Sequence, residues 1–240
     1  MYDAAMGEFW DARAAEDAFF FVDNRLAYRR PDMERFWAGG REVVELTLEL
    51  LEVEIASTDA IVEIGCGVGR ITRALAERGN HVRALDVSQR MLDLAREHNS
   101  HLDNVEWIFG DGRSLSAIES ASADVCHSHV VFQHVPDPRI TLGYVTEMGR
   151  VLRPGGWAAI QVSNNPSIHR RRSLPARVGM RLRALIGRAP SGQDHPAWRG
   201  SSVDLADLRD TAAQAEMTVE RVVGAGTLHC LVLLRKQPTP

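Results

Sequence analysis

The stretch VEIGCGVGRITRAL, residues 62–75, decides the fold of this chain. A short apolar run leads into glycines at alternate positions, Gly65, Gly67 and Gly69, and a helix-like pattern follows. A strand that ends in such a turn before a helix is where an open α/β sheet binds a ligand. Glycine lets a backbone approach a ligand closely, and a helix N-terminus offers free N–H groups. The stretch therefore predicts a ligand site, with a tight strand-to-helix connection as the alternative.

The residues around the turn restrict the kind of ligand. The dinucleotide fingerprint has the spacing GxGxxG, whereas this turn is GxGxG followed by Arg70, which disfavours NAD. Glu63 lies two residues before the turn, and its carboxylate would repel a pyrophosphate but attract a cation. A nucleoside that carries a positive sulfonium and an amino-acid tail fits both features.

Strand-like and helix-like segments alternate from residue 60 onward. The strand-like runs are residues 60–65, 81–86, 105–109, 123–130 and 157–162. Alternation of this kind predicts a parallel sheet with helices on both faces. Ser201-x-x-Asp204 fits a capping box for a C-terminal helix, and two further strand-like runs end the chain. The pattern predicts a doubly wound α/β fold whose last two strands are antiparallel neighbours.

Two regions lie outside this alternation and divide the chain. Residues 1–59 are helical in pattern and rich in aromatic residues, which predicts a lid over the ligand or, alternatively, packing against the sheet. Residues 60–163 form the predicted ligand-binding core. Residues 164–200 form an insertion with eight arginines and one acid, Asp194. Residues 201–240 are expected to complete the sheet with a helix and two strands.

The composition excludes several classes of protein. The 240 residues carry a net charge of −4, so nothing global indicates a nucleic-acid or membrane partner. The three cysteines include no CxxC pair, which disfavours a disulfide framework and a structural metal site. The N-terminus carries acids where a signal peptide needs a basic and then an apolar run. We expect a cytoplasmic protein that holds no metal ion.

Five motifs in chain order resemble those of class I S-adenosylmethionine-dependent methyltransferases of the small-molecule type. They are VEIGCGVGR (62–70), ALDVSQRML (84–92), FGDGRSL (109–115), SADVCHSHVVFQHVPD (122–137) and LRPGGW (152–157). The resemblance covers roughly residues 40–165 and is looser toward the C-terminus. It implies a Rossmann-like, mostly parallel seven-stranded sheet with an antiparallel last strand, and S-adenosyl-L-methionine as the cofactor.

The resemblance also implies roles for individual residues in cofactor binding. Asp86 would accept hydrogen bonds from both ribose hydroxyls, and Asp111 would bind the adenine amino group with Gly112 or Arg113 alongside. The alternatives are structural: Asp86 could be a helix cap at the end of its strand, and Asp111 could be only a turn residue. The complete predicted cofactor site is Glu63, Gly65, Cys66, Gly67, Gly69, Asp86, Val87, Met91, Asp111, Gly112, Arg113, Ser128 and His129.

His134 is the candidate general base. The fourth motif lies where the methyl group of the cofactor should point, and related methyltransferases place one or two histidines at this point of the loop. Here the pair reads Gln133-His134, so a mechanism with two histidines is not supported. A neutral imidazole near pH 7 would accept the proton of a hydroxyl or ammonium acceptor. The alternative is a structural histidine that packs under the loop.

The acceptor site is predicted from the lid, the fourth motif and the insertion. Its predicted residues are Tyr28, Trp37, Gln133 and Arg170. The arginines of the insertion favour an anionic acceptor, or they form the solvated face of an amphipathic helix. The leading function is transfer of a methyl group to an oxygen, nitrogen or carbon of a small metabolite. The alternatives are an RNA or protein methyltransferase, with nucleic acid disfavoured, and a non-catalytic cofactor-binding module; a homodimer is left open.

Overall fold

The computed structural model describes residues 4–170, 173–185 and 189–238. The strands are β1 (Ala60–Ile64), β2 (His81–Asp86), β3 (Val105–Phe109), β4 (Ala123–Ser128), β5 (Leu152–Val162), β6 (Met217–Val223) and β7 (Cys230–Lys236). The helices are α1 (Ala4–Val22), α2 (Met33–Leu51), α3 (Arg70–Ala76), α4 (Gln89–His98), α5 (Pro138–Val151), α6 (Leu174–Leu185), α7 (Pro196–Arg199) and α8 (Leu205–Gln214). A 3₁₀ turn covers Phe132–His134. Strands and helices alternate through the core, as the sequence predicts.

The seven strands of the described residues form one sheet in the order β3-β2-β1-β4-β5-β7-β6. β1 to β5 pair in parallel, whereas β7 is antiparallel to both β5 and β6. The strand order reverses between β1 and β4, so the carboxyl ends of these strands flank a crevice. The predicted Rossmann-like sheet with an antiparallel last strand is confirmed.

Buried apolar side chains cover both faces of the sheet. On one face, Met148 of α5 and Leu208 of α8 pack with strand residues in one cluster. On the other face, Val44 of α2 and Leu75 of α3 belong to a second cluster with residues of β1, β2 and β5. Because α2 is part of this packing, α1 is the part of residues 1–59 that is placed to act as a lid.

Short polar side chains cap the N-termini of α4 and α8. Ser88 caps α4, and the carboxylate of Asp204 caps α8 by accepting the N–H of Ala206. The capping box predicted at Ser201 is therefore wrong. The Ser201 hydroxyl instead donates to the carbonyl of Val135, and this bond ties the start of the C-terminal segment to the loop after β4.

The boundaries of the fourth and fifth strands also differ from the prediction. β4 ends at Ser128 rather than at residue 130, because Val130 has a left-handed φ of 59°. β5 begins at Leu152 rather than at residue 157, with an irregular register opposite the start of β4. A positive φ is costly for a β-branched residue, so the loop after β4 must be held in place by its contacts.

Candidate active site

A cavity, called here the central cavity, opens at the carboxyl ends of β1, β2 and β4. Its walls come from α1, from the turns that follow β1, β2 and β3, and from the loop after β4. Ten predicted site residues line it: Glu63, Gly65, Cys66, Gly67, Asp86, Val87, Met91, Gly112, His129 and His134. Lining residues that the sequence analysis did not place there include Met6, Trp10, Phe21, Val22, Arg70 and Tyr144. The structure thus brings most of the predicted residues to one site.

Gly67 joins the glycine turn to the second strand. Its N–H donates to Asp86 Oδ2 at 2.8 Å, and its φ is 55°. A Cβ at this position would lie 2.8 Å from a methyl carbon of Val22 on α1. Glycine therefore meets two demands here: it permits the left-handed backbone, and it allows α1 to approach the turn.

Asp86 presents a partly buried carboxylate at the end of β2. Besides the bond from Gly67, Oδ1 accepts the N–H of Ser88 at 2.9 Å. The helix cap of α4 is the Ser88 hydroxyl, so Asp86 is not the cap. Burial raises the pKa of Asp86 to about 6, although backbone N–H donors oppose this effect. The carboxylate is thus held rigidly at the cavity wall, where it can accept further hydrogen bonds.

Glu63 and Arg70 place opposite charges on the other side of the turn. Glu63 is 2% exposed and accepts the hydroxyl of Thr72 at 2.5 Å. Burial raises the pKa of Glu63 to about 7. Arg70 is 4% exposed, and its Nη1 lies 3.5 Å from a carboxylate oxygen of Asp23. Its Nε and Nη1 have no hydrogen-bond partner among the described residues, so the guanidinium retains donors for a ligand.

Gly69 and Ser128 were predicted in the cofactor site, but they do not line the central cavity. Gly69 is the N-cap residue of α3, and a Cβ there would meet the side chains of Asn99 and Trp107 at 2.6 and 2.7 Å. The Ser128 hydroxyl donates to the carbonyl of Ile64 at 3.0 Å. Both residues shape the strand ends that carry the site rather than its surface.

Asp111 and Arg113 also lie outside the lining of the central cavity. The Asp111 carboxylate accepts the N–H groups of Arg113 and Ser114 and the hydroxyl of Ser114. This is the turn that the sequence analysis named as the alternative, and Asp111 lines a separate small cavity beside it. The turn brings the backbone of Gly112, rather than the Asp111 side chain, to the central cavity.

The two aromatic residues predicted for the acceptor site lie elsewhere. The Tyr28 hydroxyl donates to a glutamate of α1 at 2.6 Å. The guanidinium of Arg73 stacks over the ring of Trp37 in a cation–π contact, 3.7 Å from the ring centroid. Neither residue lines the central cavity, where the aromatic side chains from α1 are Trp10 and Phe21.

His134 lies between the central cavity and a second, side cavity. The side cavity is lined by Asn24, Gln133, His134, Ile168, His169, Arg170, Gln193, Asp194, Trp198, Arg199 and Leu228. His134 Nδ1 is 2.9 Å from the carbonyl oxygen of Trp198, and the ring packs against the rings of Trp10 and Trp198. Burial lowers the pKa of His134 to about 4. The structure thus places the predicted base, Gln133 and Arg170 around one space.

The insertion supplies much of this side cavity. Arg170 and Arg199 reach it from the two ends of residues 164–200. Arg171, Arg172 and Arg188 of the insertion lie outside the described residues.

The described residues contain neither a helix that could span a membrane nor a cluster of metal-ligating side chains. In this part of the chain, no helix combines the length and the apolar character needed to cross a membrane. Over the same residues, no three or more histidine, cysteine, aspartate or glutamate side chains cluster as metal ligands do.

The central cavity fits S-adenosylmethionine. Asp86 would offer carboxylate oxygens to the ribose hydroxyls, and Val87 and Met91 would offer apolar contact to adenine. Glu63 would pair with the ammonium of the amino-acid tail, and the free donors of Arg70 with its carboxylate. The fold and this site have the features of class I S-adenosylmethionine-dependent methyltransferases.

Comparison with known proteins agrees with this class. Residues 62–160 match a family described as a methyltransferase domain. It is 29% identical to the ubiquinone biosynthesis O-methyltransferase of Leptothrix cholodnii over 60% of this chain and 62% of that protein. It is 34% identical to the trans-aconitate 2-methyltransferase of Azoarcus sp. over 59% of this chain and 54% of that protein. The matched segment thus spans little more than half the length of these relatives.

A solved structure shares the fold over nearly the whole chain. The N-methyltransferase NodS from Bradyrhizobium japonicum, solved in complex with S-adenosylhomocysteine, aligns with a TM-score of 0.61 at 17% identity. The alignment covers 97% of this chain and 98% of that one. The seven-stranded sheet and its helices are therefore those of known methyltransferases.

The affinity for S-adenosylmethionine should rise with pH between 5 and 7.5. Burial raises the pKa of Glu63 to about 7 and that of Asp86 to about 6, so both carboxyls bind protons in this range without ligand. The cation and the hydroxyl donors of the ligand favour the charged carboxylates, so binding must release those protons. We expect Kd to fall by about tenfold or more over this range, measured by calorimetry.

A Glu63→Gln variant is the control for this pH dependence. The amide keeps an acceptor for the Thr72 hydroxyl but removes the group that titrates near 7. The upper part of the pH dependence should therefore flatten, while the lower part due to Asp86 persists. A Kd that stays constant from pH 5 to 7.5 in the native protein would exclude both carboxyls from the binding site.

Proposed function

We propose that this chain transfers the methyl group of S-adenosylmethionine to a small, polar and anionic acceptor bound in the side cavity. The observation that carries the proposal is the position of His134, which lines both cavities. One cavity fits the cofactor, and the other is rich in polar and basic side chains. Methyl transfer needs this arrangement, because donor and acceptor must meet in line within a site that excludes water.

When bound, S-adenosylmethionine supplies an electrophilic methyl group on a sulfonium and leaves as a neutral thioether. The residues of this chain position the reactants and move the proton. Trp10 and Phe21 close the central cavity from α1, which supports a lid role for that helix. His134 Nε2 would accept the proton that a hydroxyl or ammonium acceptor loses as its bond to the methyl carbon forms.

The charges of the side cavity favour an anionic acceptor. Arg170 and Arg199 line it together with one acid, Asp194, while Asn24 and Gln193 add amide groups. A guanidinium can bind a carboxylate or a phosphate through two parallel hydrogen bonds. The name of the Azoarcus relative, trans-aconitate 2-methyltransferase, describes a carboxylate acceptor for that protein and supports the same class of acceptor here. A cytoplasmic location and a homodimer remain predictions from the sequence.

Product identification tests the proposed function. The protein is incubated with S-adenosylmethionine labelled in the methyl group and with a set of small carboxylates and phosphates, then with RNA and protein fractions. We expect label in an anionic small molecule. Label in RNA or protein instead, or tight cofactor binding with no transfer to any fraction, would contradict the proposal.

Replacement of both Arg170 and Arg199 by alanine should raise the acceptor KM by about 10–100-fold, the range for losing hydrogen bonds to charged groups. Cofactor affinity should not change, because neither residue lines the central cavity. Arg183→Ala is the matched control, since this arginine lies on α6 and does not line the side cavity. Equal KM values in the double variant and the control would show that these two arginines do not bind the acceptor.

A further inference from the structure

Gln161 is a buried polar residue of β5 whose amide orientation is fixed by the backbone. Its Oε1 accepts the N–H of Val130 at 3.1 Å, and its Nε2 donates to the carbonyl of Leu228 at 3.0 Å. A backbone N–H can only donate and a carbonyl can only accept, so the two ends of this amide cannot be exchanged. Gln161 is 0% exposed, so water does not offer it other partners.

The orientation of Gln161 determines that of Gln133. Gln161 Nε2 also donates to Gln133 Oε1 at 2.7 Å, which leaves Gln133 Nε2 directed at His134 Nε2 at 3.2 Å. Because the amide nitrogen carries only donor hydrogens, His134 Nε2 must be the unprotonated nitrogen of the ring. This chain of hydrogen bonds is therefore anchored by two backbone groups, the N–H of Val130 and the carbonyl of Leu228.

The other ring nitrogen of His134 agrees with this assignment. His134 Nδ1 lies 2.9 Å from the carbonyl oxygen of Trp198, which accepts a hydrogen bond but cannot donate one. Nδ1 must therefore carry the proton. Both partners of the ring select the same neutral tautomer, and a protonated ring would direct its Nε2–H at the N–H of Gln133.

The backbone of the loop after β4 is strained at a residue that Gln161 contacts. Val130, whose N–H donates to Gln161, has a φ of 59°, a left-handed conformation that is unfavourable for a β-branched residue. Gln161 therefore stabilises the strained loop after β4 and orients Gln133 with the same amide group.

We propose that Gln161 and Gln133 are positioning residues that hold His134 in the neutral tautomer with Nδ1 protonated and the Nε2 lone pair available for an acceptor. Gln133 and His134 both line the side cavity, so an acceptor O–H or N–H can replace the Gln133 N–H at Nε2. The role in proton transfer rests on the proposed function, whereas the tautomer does not.

Several titratable or charged groups lie around His134 and contribute to any pH dependence. They are His169, Arg170, Asp194 and Arg199 in the side cavity, and Glu63, Arg70, Asp86 and His129 in the central cavity. A test of the proposal must therefore separate the hydrogen bonds of the glutamines from the charges of these groups.

The ring nitrogens of His134 can be observed directly by NMR of the full chain labelled with ¹⁵N-histidine, with the signals assigned by their loss in His134→Asn. The native protein should give a protonated Nδ1 and an unprotonated Nε2 from pH 6 to 8. Gln133→Glu keeps an acceptor for Gln161 but presents a carboxylate to Nε2. It should raise the pKa of His134 from about 4 to about 6 or above.

Two further variants make the test specific. Gln161→Glu keeps an acceptor for Val130 but has no donor for Gln133, so the Gln133 amide should turn its oxygen toward Nε2 and raise the pKa of His134. Gln193→Glu adds the same charge to the side cavity outside this chain of hydrogen bonds, and it should change the pKa much less. A protonated Nε2 in the native protein, or equal pKa changes in Gln133→Glu and Gln193→Glu, would overturn the proposal. Neither measurement requires turnover, so failure of the proposed function would be seen separately.

Discussion

Replacement of His134 by asparagine is expected to lower kcat by about 10²–10³-fold, within the usual range for loss of a general base. Asparagine can keep a donor near the position of Nδ1 for the carbonyl of Trp198, but it has no group at the position of Nε2. The fold should therefore persist while proton transfer is lost. Cofactor affinity should change little, because Asp86 and Glu63 carry the polar contacts to the ligand in our proposal.

The pH profile distinguishes this role from the one expected of an ordinary imidazole. Burial lowers the pKa of His134 to about 4, so the neutral, basic form is complete above about pH 5. The rise of kcat with pH that is due to His134 should therefore occur near pH 4. Near pH 7, kcat should show no pH dependence that is due to His134. An unperturbed histidine, as the sequence suggests, would place that rise near 6.5.

His169→Ala is the matched control for His134→Asn. His169 also lines the side cavity, but its ring nitrogens contact the carbonyl of Arg199 and the hydroxyl of Ser163, which leaves neither free as a base. This variant should leave the pH profile of kcat in place. If His134→Asn unfolds at a lower temperature yet turns over normally while folded, His134 is structural and the reaction proceeds by positioning alone.

The sequence was sufficient for the fold because local signals and the global topology agree. Strand-like runs and helices alternate, and the turn at Gly65 and Gly67 marks the point where the strand order reverses. The end of β2 could be predicted in the same way, since Asp86 follows a strand and precedes a capped helix. These features depend on residues close together in the chain.

Features that depend on distant segments could not be predicted. Trp37 and Trp10 are the same type of residue in the same helical region of the sequence. Only the tertiary packing of α1 and α2 shows that Trp10 lines the central cavity and that Trp37 does not. Arg70 follows the glycine turn in sequence, but its unpaired donors become evident only when its burial is known. Gln161 gave no signal, because its partners lie in two other segments of the chain, the loop after β4 and the loop before β7.

Replacement of Asp86 by alanine is expected to weaken the binding of S-adenosylmethionine and S-adenosylhomocysteine by about 10–100-fold. The partly buried carboxylate accepts N–H groups from Gly67 and Ser88 and lines the cavity, so its loss should remove charge-assisted hydrogen bonds to the ligand and loosen the turn. Such bonds contribute about 1.5–3 kcal/mol, which corresponds to this range of affinity. Calorimetry with the folded variant measures the effect.

A ligand without the 2′-hydroxyl makes the assignment of Asp86 specific. The native protein should bind 2′-deoxy-S-adenosylhomocysteine several-fold more weakly than the parent ligand, whereas Asp86→Ala should bind the two equally, because the partner of the hydroxyl is gone. Asp93→Ala removes a carboxylate from the exposed side of α4, where it contacts Gln89 and Arg96, and should leave both affinities unchanged. If Asp86→Ala still discriminates between the two ligands as the native protein does, another group holds the ribose. In that case the rigid carboxylate at the end of β2 serves the turn at Gly67 rather than the cofactor.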